Sequence, residues 1–140
     1  MKRLFRAILS VILSTAILFV STLPIMATSN ESSTYLTNCS SVSMNFTIAN
    51  DEANFFVSYI AREDTFTQAK LTVQIQKKFL GLFWRDAADE WIGYCTDLRG
   101  NMYDYIPVDG TGTYRAVIKL EVIGTTDTDV IEDTIECRYT

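Results

Sequence analysis

Histidine is absent from all 140 residues. That single gap excludes the Ser-His-Asp and Cys-His nucleophile systems and every histidine-ligated zinc or haem site. No basic run is longer than the pair Lys77-Lys78 beyond the amino terminus, and the formal charge is −5, which argues against binding to a phosphate backbone. Cysteine occurs three times, with no CxxC spacing that would lower a thiol pKa or build a metal site. Apolar positions in residues 35–140 never recur at intervals of three and four over a helix-length window, so a helical domain is excluded as well.

What the sequence does contain begins with an address. Residues 1–6 (MKRLFR) carry three cations, residues 7–20 are apolar apart from Ser10, Ser14 and Thr15, and residues 21–27 (STLPIMA) end on alanine. This is the three-part plan of a secretory signal peptide. Pro24 breaks a helix just ahead of Ile25-Met26-Ala27, and cleavage is expected after Ala27. A retained anchor is the alternative, although the apolar run falls short of the ~20 residues that span a bilayer as a helix. No cysteine follows closely enough for lipid attachment, so the expected product is freely secreted. Removing residues 1–27 takes away Lys2, Arg3 and Arg6 and no acid, leaving nine cations against seventeen anions over 113 residues, a formal charge of −8. Residues 28–39 open with the wholly polar TSNESST and read as a flexible leader; residues 40–140 read as one domain.

Within that domain the dominant period is two. Val42, Met44, Phe46 and Ile48 alternate with Ser41, Ser43, Asn45 and Thr47; Phe55, Val57, Tyr59 and Ala61 form a second inner face, with Phe56 and Ile60 opposite them suggesting that both sides are covered. Leu71, Val73 and Ile75 alternate with Thr72, Gln74 and Gln76. Residues 81–88 read as a turn-rich segment, residues 90–95 as a short edge strand with Trp91 and Ile92 on opposite faces, and residues 103–108 as a strand that Pro107 pushes to an edge. Tyr114, Ala116, Ile118, Leu120 and Val122 make the longest alternation, and Ile131, Ile135 and Cys137 face inward on a last strand. Seven or so short strands with turns between them predict an all-β, antiparallel two-sheet sandwich of immunoglobulin-like type, a small β-barrel being the alternative.

The order of Ile75-Gln76-Lys77-Lys78, then Trp84, then Trp91, a tyrosine-rich stretch, Gly112-Thr-Tyr-Arg115 opening a long strand, and an acidic final strand resembles a family of small exported proteins of Gram-positive Firmicutes, an uncharacterised domain of unknown function. The resemblance covers roughly residues 40–139 and implies an exported bacterial protein, with no catalytic residue to carry over. A second likeness is to the tyrosine corner of immunoglobulin-like domains. Gly112 and Tyr114 stand in place, with Gly110 where the aspartate belongs, Asp109 one residue early, and Ala116 where an antibody domain has its cysteine.

Three groups of side chains carry possible chemistry. Cys39, Cys95 and Cys137 are odd in number, so at most one internal bridge forms, and any of three pairings is open; parity favours Cys137 as a buried hydrophobe. Asp86, Asp89 and Glu90 lie beside Trp84 and Trp91, the combination a glycosidase uses, while Asp109, Asp127 and Asp129 are calcium candidates. Phe83, Trp84, Trp91, Tyr94, Tyr103 and Tyr105 fall within 23 residues on expected loops and edge strands, where they offer large contact areas with a polar handle. The expectation is therefore a non-enzymatic binding module at or outside the cell envelope. Its contact surface is the aromatic segment 83–105, it needs no cofactor, and its partner is a cell-envelope glycan or another secreted or surface protein. Membrane contact is expected only through an uncleaved signal segment. The alternatives are a carbohydrate-active module using Asp86, Asp89 or Glu90, and an exported antibacterial or immunity factor.

Overall fold

The computed structural model describes residues 36–140; the expected signal peptide and most of the expected leader lie outside the described residues. Eight strands and no helix are found among them: β1 (Cys39–Ala49), β2 (Glu52–Ala61), β3 (Phe66–Phe79), β4 (Phe83–Asp86), β5 (Trp91–Cys95), β6 (Arg99–Pro107), β7 (Gly112–Gly124) and β8 (Thr128–Tyr139). Alternating β-branched and aromatic residues give each long strand one apolar face, and the turns lie where polar residues interrupt the alternation. Between β1 and β2 the chain reverses through Asn50 and Asp51, both at positive φ (53° and 60°). A two-residue hairpin demands this backbone, and Asn and Asp tolerate it.

The strands form two antiparallel sheets. The first has the order β1-β2-β6; the second runs β4-β3-β7-β8, with β5 sharing the same edge of β3 as β4. β3 is long enough for both: β4 pairs with residues 76–79 and β5 with residues 69–73. The sheets do not close into a barrel. The switching of β2 to β3, β5 to β6 and β6 to β7 between sheets follows the order of immunoglobulin-like sandwiches.

Between the sheets lie Phe46, Phe55, Val57 and Tyr59 from the first and Leu71, Val73, Ile75, Tyr114, Ile118, Leu120 and Val122 from the second, all buried. Each fully buried aliphatic or aromatic side chain contributes roughly 1.5–3 kcal/mol, and this interior is the principal stabilising term. Several expectations are corrected here. Residues 83–86 form a strand rather than a loop, because Gln76 and Lys78 offer them a free edge of β3. The domain starts before residue 40, since Leu36 packs on the core and Asn38 and Cys39 are fully buried. Phe56 and Ile60 are uncovered, at 44% and 39% exposure, because nothing among the described residues packs on the outer side of the first sheet. Cys137 is only half-buried, and Cys39 is the thiol inside.

Tyr114 is completely buried, and its hydroxyl donates to the backbone carbonyls of Asp109 (2.7 Å) and Gly110 (2.6 Å). The expected tyrosine corner is thus formed, pinning the chain where it crosses from β6 to β7, although glycine stands where the pattern has aspartate. Tyr114→Phe should keep the fold and lower the unfolding free energy by about 1 kcal/mol, the net value of one hydrogen bond. Thermal denaturation checks this: a fall of roughly 4–8 °C is expected for a domain of this size, and an unchanged midpoint removes the role.

Candidate functional site

The outer face of the first sheet is the surface that remains without internal employment. Side chains alternate across the pleat, so the register of β1, β2 and β6 sets the rows of that face. Asn45 lies beside Phe56, which lies beside Tyr103; Thr47 lies beside Asn54, which lies beside Tyr105; Ser43, Ser58 and Asn101 form the row before them. Tyr103 and Tyr105 are 60% and 59% exposed. Phe56 and Tyr103 stack with ring centroids 6.5 Å apart and planes 24° from parallel. A shallow depression runs over Asn45, Thr47, Asn54, Phe56, Tyr103 and Tyr105, with Phe55 and Asp104 also in its lining. None of the nine residues in these rows is charged, although the protein is acidic.

The aromatic segment expected to form one contact surface is dispersed by the fold. Tyr103 and Tyr105 belong to the face just described. Tyr94 projects from the outer side of β5, on the other sheet, and Phe83 sits at the base of the β3–β4 turn; both are 61% exposed. Trp84 is half-buried on the outer face of the second sheet, with the Arg115 guanidinium 4.3 Å and the Lys78 ammonium 5.3 Å from its ring. Trp91 turns inward. Its ring meets Phe55 edge-on at 4.9 Å, and its indole N–H donates to Asp104 Oδ2 at 2.6 Å, joining edge strand β5 to edge strand β6 of the opposite sheet. The ring also folds over Gly93, where a Cβ would collide with it.

The acidic candidates separate as well. Asp109 lies at the β6–β7 corner, whereas Asp127 and Asp129 lie beyond the far end of β7, about 40 Å of extended chain away. The three therefore do not form one calcium site. Asp129 is buried and accepts the backbone N–H groups of Thr37 (2.9 Å), Asn38 (2.7 Å) and Cys39 (2.9 Å), while Asp127 Oδ1 accepts from the Asn38 amide at 2.8 Å. No cluster of three or more metal-ligating Cys, Asp or Glu side chains exists among the described residues. Asp86, Asp89 and Glu90 are all exposed, and Asp86 Oδ1 accepts a hydrogen bond from Gln76.

Phe56, Asn45, Thr47 and Asn54 were absent from the expected site. Phe56 stands on the polar parity of β2, and that misplaced aromatic was the available signal. Its meaning needed the pairing with β6, where its partner Tyr103 lies 47 residues further along. No protein-family model and no curated protein matches the chain.

The cysteines are all free thiols. Cys39 Sγ donates to the carbonyls of Ser41 and Ile60, and burial pushes its pKa up. Nearby, Tyr59 donates its hydroxyl to the Asp97 carbonyl at 2.9 Å; burial first, and the neighbouring Cys95 second, push that phenol well above its ordinary range. In the unfolded chain both groups ionise at ordinary values, about 8.5 for the thiol and 10 for the phenol. Between those values and the raised folded ones the unfolded state holds fewer protons, so stability is complete below about pH 8 and falls as pH rises. Denaturation midpoints should be level from pH 7 to 8 and decline by pH 10.5, with a shallower decline in Cys39→Ala; a midpoint at pH 10.5 equal to that at pH 8 contradicts this.

Proposed function

We propose that this protein is a small exported, non-enzymatic binding module whose outer first-sheet face holds an uncharged saccharide of a cell envelope. The observation that carries the reading is the composition of three consecutive cross-strand rows: two exposed tyrosines and a phenylalanine interleaved with Asn45, Thr47, Asn54, Ser43, Ser58 and Asn101, without a charge. Aromatic rings supply flat apolar contact for the C–H face of a sugar, and neighbouring amides and hydroxyls supply donors and acceptors for its hydroxyl groups. The rows at either end of the face bring in Arg99 and Glu52, but its centre is a shallow depression and not the well-packed, desolvated pocket in which the anchor residues of a protein partner are ordinarily buried. The signal-like amino terminus and the resemblance to exported Firmicutes proteins support the envelope setting.

Export is part of the same proposal, and so is the absence of catalysis: histidine-dependent chemistry is excluded, and the carboxylates beside the tryptophans, Asp86, Asp89 and Glu90, all stand exposed. A carbohydrate-active enzyme is the competing reading. Calorimetric titration with N-acetylglucosamine oligosaccharides and with purified peptidoglycan strands, run beside a reducing-sugar assay, separates the two. Binding without turnover is expected, weakened at least tenfold, or about 1.4 kcal/mol, by Tyr103→Ala and by Tyr105→Ala. Equal affinity in both variants removes the face from the function, and release of shorter saccharides moves the function to the carboxylates.

A further inference from the structure

The β3–β4 hairpin ends in residues that neither folding nor solubility explains. Phe79 pairs with Phe83, and the turn between them is Leu80-Gly81-Leu82, closed by the Leu82 N–H on the Phe79 carbonyl at 3.1 Å. Leu80 and Leu82 are 75% and 74% exposed, Phe83 61% and Phe79 42%. Leu80 also holds φ at 51°, with Gly81 at 69°. An L-residue with a bulky side chain is disfavoured in that left-handed region. The same chain solves the equivalent problem between β1 and β2 with Asn50 and Asp51, polar residues suited to the conformation. At the β3–β4 tip it places leucine at the strained position and leucine again two residues on, both in water.

Around the base of this apolar tip stand cations. Arg85 lies over the Phe79 ring at 4.0 Å, and Lys78 and Arg115 both lie over Trp84. Lys77 sits over the Tyr114 ring and donates to the Asp109 carbonyl. The salt bridges among the described residues join Lys70 and Lys119 to Glu121 and involve none of these four. Asp86 and Asp109 border the groove behind the tip, the Asp86 carboxylate taking a hydrogen bond from Gln76. A chain with an overall charge of −5 thus gathers four cations at the root of its most apolar exposed projection.

We propose that this hairpin is a membrane-docking loop: residues 79–83 enter the interfacial region of an anionic lipid bilayer, and Lys77, Lys78, Arg85 and Arg115 meet its phosphate headgroups. Charge complementarity chooses the occupant. An apolar tip ringed by cations matches the acyl boundary and the negative surface of such a bilayer, layer for layer, and the rings of Phe83 and Trp84 fall at the level where aromatic side chains concentrate. In that setting the cost of exposing Leu80 and Leu82 disappears, because water no longer surrounds them. The loop lies at an end of the strands, so docking leaves the outer face of the first sheet accessible. The proposal does not depend on what that face binds.

The amino-terminal apolar run is common to every variant of the full chain, so the readout belongs on the hairpin itself. Trp84 lies at its base and Trp91 inside the sandwich. Vesicles of brominated phosphatidylcholine and phosphatidylglycerol in equal parts should quench the Trp84 share of the emission and leave the Trp91 share; Trp84→Phe should abolish the quenching. The triple variant Leu80→Asn, Leu82→Ser, Phe83→Thr, whose first change suits the turn better than leucine does, should reduce quenching at least tenfold. Lys78→Gln with Arg85→Gln should raise the lipid concentration required on the order of 25-fold, about fivefold per cation. Vesicles of phosphatidylcholine alone should quench little. Equal quenching in the wild type and the triple variant, or none with the anionic vesicles, overturns the proposal. So does sedimentation showing that the wild type is a dimer and the triple variant a monomer, which would make the tip a contact between copies.

Discussion

A carboxylate buried between two sheets must be satisfied there or it destabilises the fold, and Asp129 is satisfied entirely by backbone. Its two oxygens accept the N–H groups of Thr37, Asn38 and Cys39, so the entry to β1 in the first sheet is fastened to the start of β8 in the second. Alanine at this position would leave three donors without an acceptor, each costing roughly 1–3 kcal/mol where it is buried. Asn38 strengthens the same clasp by donating to the Asp127 carboxylate and carbonyl, and Gly124 is required beside it because a Cβ would strike the Asn38 amide. At the opposite edge Trp91 and Asp104 join β5 to β6 in the same manner. Both edges of a sandwich that contains no disulfide are therefore held by one side chain from each sheet or by side chain on backbone.

With the edges held, the two outer faces are free to differ. On the second sheet Glu121 sits between Lys70 and Lys119 at 3.6 and 3.5 Å, and Gln76 links Arg115 to Asp86. Exposed pairs of this kind add little stability, but they keep the face solvated and occupied with itself. The first sheet has no such network. Its three central outer rows are neutral, with Glu52 and Arg99 only in the rows at either end; Tyr103 and Tyr105 are more than half in water and Phe56 somewhat less, and β6 ends at Pro107, which cannot donate a further ladder bond. Apart from the Phe56–Tyr103 cross-strand stack, worth roughly 0.2–1 kcal/mol, this surface adds little to folding, and its exposed rings are what the proposed recognition rests on.

How much of this could be read from the chain depended on the range of the interaction. The two-sheet antiparallel architecture followed from alternation within single strands, and the inner faces of β2, β3 and β7 were legible residue by residue. The tyrosine corner was legible too, because Tyr114 and the carbonyls it caps lie within five residues of one another. Asp129 was not, since its partners are about ninety positions away and an aspartate in a GTTDTD stretch looks like any solvated turn. The aromatic candidates illustrate the same limit. Proximity along residues 83–105 suggested one surface, but a β-sandwich sends neighbouring strands to different sheets, so Tyr103 and Tyr94 emerge on opposite sides of the molecule and Trp91 between them. Phe56 joined the site through strand pairing alone.

The central claim is that the neutral aromatic face of the first sheet is where this protein meets its ligand. Backbone amide chemical shifts of the full chain, followed during titration with a neutral cell-envelope saccharide, address it directly. Shifts should concentrate at Asn45, Thr47, Asn54, Phe56, Tyr103 and Tyr105 and leave the outer residues of β3, β7 and β8 unmoved. Shifts centred on the second sheet, or on Asp86, Asp89 and Glu90, would contradict the claim.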